Sequence, residues 1–142
     1  MSSRYWGIDL GGSKIEAVVV DEEMKPLIRR RIATEANEGY RHITGRIVNL
    51  LDLVSRESGF PLPKVIGMGT PGRYDAEAGT LKNSNTLCLN GRNLKVDLEG
   101  LLQCTVLIEN AANCFALAES LLGSGRNLMK GRDRTAFGMI IG

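Results

Sequence analysis

The feature that most constrains this fold is a pair of apolar runs, residues 5–10 and 15–20, separated only by Gly11-Gly12-Ser13-Lys14. Short apolar runs flanked by turn formers read as strands, and a glycine-rich break of this length between two of them reads as a hairpin turn. After Asp21-Glu22-Glu23, a third stretch at residues 27–34 mixes Ile28 and Ile32 with basic residues, as an exposed strand beside the hairpin would. Arg29-Arg30-Arg31 within it is read as the solvated end of a strand rather than as a phosphate-binding patch.

The pattern then changes. Over residues 39–58, Ile43, Ile47, Leu50, Leu51 and Val54 recur at helical spacing, and Gly59 ends the run. Residues 64–69 read as a buried strand turned by Thr70-Pro71-Gly72, and the next twenty or so residues are rich in loop formers. A short helix at residues 94–102, a strand at 105–108, a helix at 110–122 and a final apolar strand at 135–141 complete the order β-β-β-α-β-α-β-α-β. This order predicts an α/β domain with a mixed five-stranded sheet flanked by helices. Asp9, Gly72 and Asn110 are expected to converge at the strand ends, with Asp9 and Asn110 on the same face. The chain is read as one domain, residues 1–142, forming the front half of a longer protein.

Composition bounds the function. The chain has 142 residues, net charge +2, 43% hydrophobic and 24% charged residues, which fits one globular domain and excludes a disordered tail. No apolar run reaches the ~18–20 residues of a membrane span, and the polar N-terminus carries no signal-peptide pattern. The balance of 18 basic to 16 acidic residues leaves no electrostatic footprint for nucleic acid. Cys88, Cys104 and Cys114 are odd in number and too widely spaced for a zinc or thioredoxin motif, so a reducing cytoplasm is expected.

Asp9 stands at a strand end beside Gly11-Gly12, where backbone N–H groups can approach a ligand that bulkier residues would exclude. A carboxylate there suits a hydrated Mg²⁺ next to phosphates. The element matches neither G-x-x-x-x-G-K-[ST] nor G-x-G-x-x-G, and by itself it also reads as an ordinary tight turn. Thr70-Pro71-Gly72-Arg73 follows a buried strand, and open α/β sheets bind ligands at the carboxyl ends of their strands. The amides of Asn83, Asn85, Asn90 and Asn110 both donate and accept, as sugar hydroxyls require, although asparagine is also a common loop residue. Glu109-Asn110-Ala111-Ala112-Asn113 falls between a strand and a helix start, where unpaired N–H groups favour an anion.

Three segments together resemble the ROK family of bacterial sugar kinases, repressors and open reading frames. They are Gly7-Ile8-Asp9-Leu10-Gly11-Gly12-Ser13-Lys14, Gly67-Met68-Gly69-Thr70-Pro71-Gly72, and Glu109-Asn110-Ala111-Ala112-Asn113-Cys114-Phe115-Ala116-Leu117-Ala118-Glu119. The resemblance implies an actin-like, ribonuclease-H-like ATPase domain of an ATP-dependent hexose kinase. Lys82-Asn83-Ser84-Asn85 and Leu89-Asn90-Gly91 look most like the fructokinase and mannokinase branch, with glucokinases and N-acetylhexosamine kinases next. It assigns Asp9, Gly11, Gly12, Ser13 and Lys14 to the nucleotide phosphates, with Asp9 holding Mg²⁺ through water. It implies that Gly72, the segment from Asn83 to Asn85 and Asn110 touch the sugar, and Arg73 and Asn90 are additional candidates for the same role. The family's T-G-x-G-G-G run, E-x-G-H contacts and cysteine-rich zinc motif would lie beyond Gly142, and a homodimer is one assembly the resemblance leaves open.

One departure matters. Where the family has E-N-D-A-N, this chain has Glu109-Asn110-Ala111-Ala112-Asn113, so Ala111 replaces the aspartate that takes the proton of the sugar's 6-hydroxyl. Glu109 is a substitute pointing in another direction, and the remaining alternative places the base elsewhere. The chain as it stands is expected to be inactive. Two rival readings are a sugar-responsive repressor, which needs a helix-turn-helix where only four residues precede Tyr5, and a non-catalytic sugar-binding relative.

Overall fold

The structure is a computed structural model, and it describes residues 3–110. Strands β1 (Tyr5–Leu10), β2 (Lys14–Val20) and β3 (Pro26–Ala33) form an antiparallel meander, followed by helix α1 (Tyr40–Ser58). Strand β4 (Val65–Thr70), the short strands β5 (Arg73–Asp75) and β6 (Thr80–Lys82), helix α2 (Leu94–Leu102) and strand β7 (Thr105–Asn110) complete it. The main sheet has the order β3-β2-β1-β4-β7 and is mixed, because β4 pairs parallel with both β1 and β7. The expected five-stranded α/β architecture is therefore present. The helix and strand read at residues 110–122 and 135–141 lie outside the described residues.

Alternation explains the core. Trp6, Ile8 and Leu10 of β1, Ile15, Ala17 and Val19 of β2, and Ile66 and Met68 of β4 are buried on one face, against α1. Ile43, Ile47, Leu50, Leu51 and Val54 form the buried stripe of α1, each contributing about 1.5–3 kcal/mol on burial. Gly59 ends α1 in the left-handed region, donating its N–H to the Ser55 carbonyl. Helix α2 buries Leu94, Leu98 and Leu102, and Asn93 caps it by accepting from the Val96 N–H at 3.2 Å.

The structure corrects three boundaries. Arg29-Arg30-Arg31 lies in the middle of edge strand β3, where Glu16 pairs with Arg29 and Arg31, and Glu57 of α1 pairs with Arg30. The loop-rich stretch contains the two-stranded ribbon β5–β6 and a 3₁₀ turn at Leu87–Leu89. Finally, β7 extends through Glu109 and Asn110, because its parallel ladder with β4 continues to Gly69↔Glu109 and Thr70↔Asn110. These two residues are strand residues, not a helix start. Among the described residues, no helix is long and apolar enough to cross a membrane.

Candidate functional site

The carboxyl ends of β1, β4 and β7 share one edge of the sheet, and the connections leaving them build the candidate site. The β1–β2 turn closes with the Gly11 N–H donating to the Lys14 carbonyl at 2.9 Å. A Cβ at Gly11 would stand 2.8 Å from that same carbonyl oxygen, so the turn admits glycine alone there without shifting. Thr34, fully buried just past β3, pins the turn twice: its N–H donates to the Ser13 carbonyl at 2.9 Å, and its hydroxyl to the Gly11 carbonyl at 2.8 Å. Gly12, Ser13 and Lys14 are exposed.

Asp9 lies one residue short of the turn. Register places it in a transverse row that runs Arg31, Glu16, Asp9, Gly69, Glu109 across all five strands, with their side chains on the face away from α1. Although its side chain reaches solvent, the protein around it raises the Asp9 carboxyl above the usual carboxylate range. The Glu16 charge adds to the rise, and Arg31 opposes it. A carboxylate that is costly to ionise alone, beside a second carboxylate, is a setting that a cation relieves. The donor set therefore fits a hydrated divalent ion held by Asp9. Among the described residues, no three His, Cys, Asp or Glu side chains are grouped to bind a metal.

Asn110 sits one position beyond that row, on the opposite face by alternation, so the expectation that Asp9 and Asn110 share a face does not hold. They share an edge only. The Asn110 side chain instead ties the edge together, its Nδ2 donating to the Gly72 carbonyl at 2.5 Å. Gly72 has φ +90°, and a Cβ there would lie 2.6 Å from the Lys82 carbonyl oxygen and 2.9 Å from Ser84 N. Arg73 is exposed.

The asparagines divide into two kinds. Asn90 spends its amide on one backbone unit: its Oδ1 accepts from the Ser84 N–H at 2.9 Å, and its Nδ2 donates to the Ser84 carbonyl at 3.0 Å. Asn90 is thus a clamp on the loop. Asn83, held at φ +56°, and Asn85 flank the clamped Ser84 and are exposed. Among the described residues, no hydrogen bond engages the side chain of either. Ala111 lies outside the described residues. Sequence reasoning passed over Thr34 and Thr86, since buried threonines carry no spacing signal. Thr86 connects the two halves of the site, because a Cβ on Gly12 would come within 3.2 Å of its Oγ1.

The ROK family model matches residues 5–130. The chain belongs to the ROK family. This ROK protein is 35% identical to an N-acetyl-D-glucosamine kinase of Photobacterium profundum over 97% of its own length and 43% of the relative's. It is 33% identical to an N-acetylgalactosamine kinase of a Shewanella species, again over 97% of its own length and 42% of the relative's. Among solved structures, it superposes on a ROK family glucokinase from Streptomyces griseus in complex with glucose and AMPPNP with a TM-score of 0.76. The two are 29% identical over 87% of this chain and 38% of the glucokinase. A ROK hexokinase from Thermus thermophilus gives a TM-score of 0.73 at 30% identity, over 87% of this chain and 39% of that one. The fold is thus the actin-like ATPase fold of these kinases, and the chain spans less than half the length of each of these relatives.

Proposed function

We propose that this ROK protein supplies one side of the site of an ATP-dependent hexose kinase, which passes a phosphoryl group from ATP to the 6-hydroxyl of a hexose. The observation that carries the reading is the junction of the two site elements: the glycine turn after β1 abuts Thr86 in the same loop that presents Asn83 and Asn85. Backbone N–H groups of a glycine turn suit phosphate oxygens, and exposed amides suit sugar hydroxyls. A magnesium ion held through water by Asp9 would neutralise phosphate charge, which is most of what phosphoryl transfer asks of a protein. The chain's own part is positional: the turn fixes the phosphates, Asn110 and Gly72 join the ends of β7 and β4, and Asn90 sets the loop that faces the sugar. The rest of the nucleotide site is assigned to sequence that the relatives carry outside the matched region.

The names of the similar kinases favour an N-acetylhexosamine over the fructose or mannose expected from the sequence, with glucose second. Ala111 supports a second reading, a protein that binds the sugar without turning it over. The test uses the full-length parent with Ala111 and with Ala111→Asp, assayed with N-acetylglucosamine, glucose, mannose and fructose. The Ala111→Asp form should gain roughly 10²–10⁴-fold in kcat with little change in sugar affinity. Equal rates in the two forms would place the base elsewhere, and sugar binding with no turnover in either would favour the second reading. The 142-residue chain alone should show no sugar phosphorylation above background.

A further inference from the structure

Two threonines meet the β1–β2 turn, and they use their hydroxyls differently. Thr34 spends its hydroxyl on the Gly11 carbonyl. Thr86 is 7% exposed, its N–H donates to Ser84 Oγ at 3.1 Å, and its carbonyl accepts from the Leu89 N–H at 3.0 Å. It precedes the 3₁₀ turn Leu87–Leu89 but does not cap it with its side chain. Among the described residues, no hydrogen bond engages the Thr86 hydroxyl. Among the described residues, the one fully enclosed side-chain nitrogen or oxygen without a hydrogen bond is His42 Nε2, so the Thr86 oxygen keeps an open side. That oxygen lies against Gly12, the residue whose backbone forms the phosphate turn. A valine would fill the same volume without an unpaired hydroxyl, so packing alone does not account for a threonine here.

Resting on the kinase reading above, we propose that the Thr86 hydroxyl contacts the ligand directly, donating a hydrogen bond to an oxygen of the phosphoryl group in transit beside Gly12. The neighbouring functions separate the choices of ligand atom. Asn83 and Asn85, exposed on the same loop, serve the neutral sugar. The position against the glycine turn is where anionic oxygens gather, and a hydroxyl can donate there without adding charge. In the transfer the sugar oxygen bonds to phosphorus, the bond from phosphorus to the bridging oxygen of ADP breaks, and the sugar's proton leaves to a base or to water. Thr86 makes and breaks none of these bonds. It holds an oxygen whose charge the transition state redistributes, which places it among the donors that act by preorganisation.

The experiment compares Thr86→Val and Thr86→Ser in the full-length parent. Turnover is measured in the Ala111→Asp background, and AMPPNP and inorganic phosphate affinities are measured by titration calorimetry with Ala111 in place. Thr86→Val should lower kcat/KM for ATP by about 10–100-fold and weaken phosphate binding, while its melting temperature stays equal or rises. Thr86→Ser, which keeps the hydroxyl, should stay within about 3-fold of the parent, far from the loss expected of a removed donor. Unchanged kinetics and phosphate affinity in Thr86→Val, with an active parent, would overturn the assignment of Thr86 and leave the kinase reading standing. A lower melting temperature in Thr86→Val but not in Thr86→Ser, with phosphate affinity kept in both, would also overturn it, in favour of a structural hydroxyl. A parent that binds neither AMPPNP nor sugar would overturn the kinase reading and this assignment together.

Discussion

The turn after β1 and the long connection from β4 to α2 reach the same edge of the sheet, yet they are held in place by different means. The turn is short and is closed by backbone, with one threonine just past β3 bracing it. The connection is long and depends on side chains: Asp75 stitches the β5–β6 ribbon, Asn90 clamps Ser84, and Asn110 grips Gly72. A loop built this way gains a fixed shape without regular structure, but each side chain it uses for support is withdrawn from the ligand. The polar residues of a binding loop therefore have to be sorted into supports and contacts.

Substitutions that remove one kind of support at a time sharpen this contrast. The largest effect is expected at Gly72→Ala, which adds a left-handed strain to a collision with the Lys82 carbonyl and the Ser84 backbone. It should cost about 3 kcal/mol in urea unfolding and abolish sugar binding. Next, Asn90→Ala removes two hydrogen bonds to one peptide unit and should cost about 2 kcal/mol. It should weaken sugar binding more than phosphate binding, which it reaches only through the Ser84 hydroxyl that holds the Thr86 N–H; an equal loss of both would mean that the loop and the turn are not held separately. Thr34→Val deletes the brace on the turn and should cost about 1 kcal/mol. Its binding defect should be the reverse, in phosphate rather than sugar.

The smallest effect is a matter of pH. The Lys82 ammonium, assisted by the Ala78 and Glu77 N–H groups, lowers the Asp75 carboxyl to about 2. A native value below the unfolded one adds stability at neutral pH, and this is lost as pH falls from about 4 toward 2. Acid titrations of unfolding for the parent and Asp75→Asn should therefore differ slightly at pH 7 and converge near pH 2. A constant gap across that range would show that Asp75 acts through its shape and not through its charge.

The same contrast governs what was legible in the sequence. The β1–β2 hairpin, α1 and the two parallel strands announce themselves through local periodicity, and the glycine turn is read correctly because its logic spans four residues. The β5–β6 ribbon is not legible in the sequence, because strands of three residues leave no period to detect and their pairing is a property of the fold. Asn83, Asn85 and Asn90 look alike as residues. Only the position of Ser84 between two of them and opposite the third tells the clamp from the exposed pair. The sequence ends this strand at Ile108 and starts a helix at Asn110, because the ladder that carries β7 through Glu109 and Asn110 is supplied by β4, far away in the chain. Thr86 could not be found from sequence, since what singles it out is a hydroxyl left without a partner.

The register of β1 also sets an order in time. Its partner on one side, β2, begins four residues after it ends, while its partner on the other, β4, arrives only after the third strand and a helix of 19 residues. Closing a short loop costs less entropy than closing a long one, and local pairings form faster. During synthesis the meander of residues 5–33 can therefore form before the strand that flanks it has left the ribosome. The ribosome would thus deliver the glycine turn first, with its brace at Thr34 emerging directly behind it, and the loop of Asn83 and Asn85 would be laid against a surface already in place.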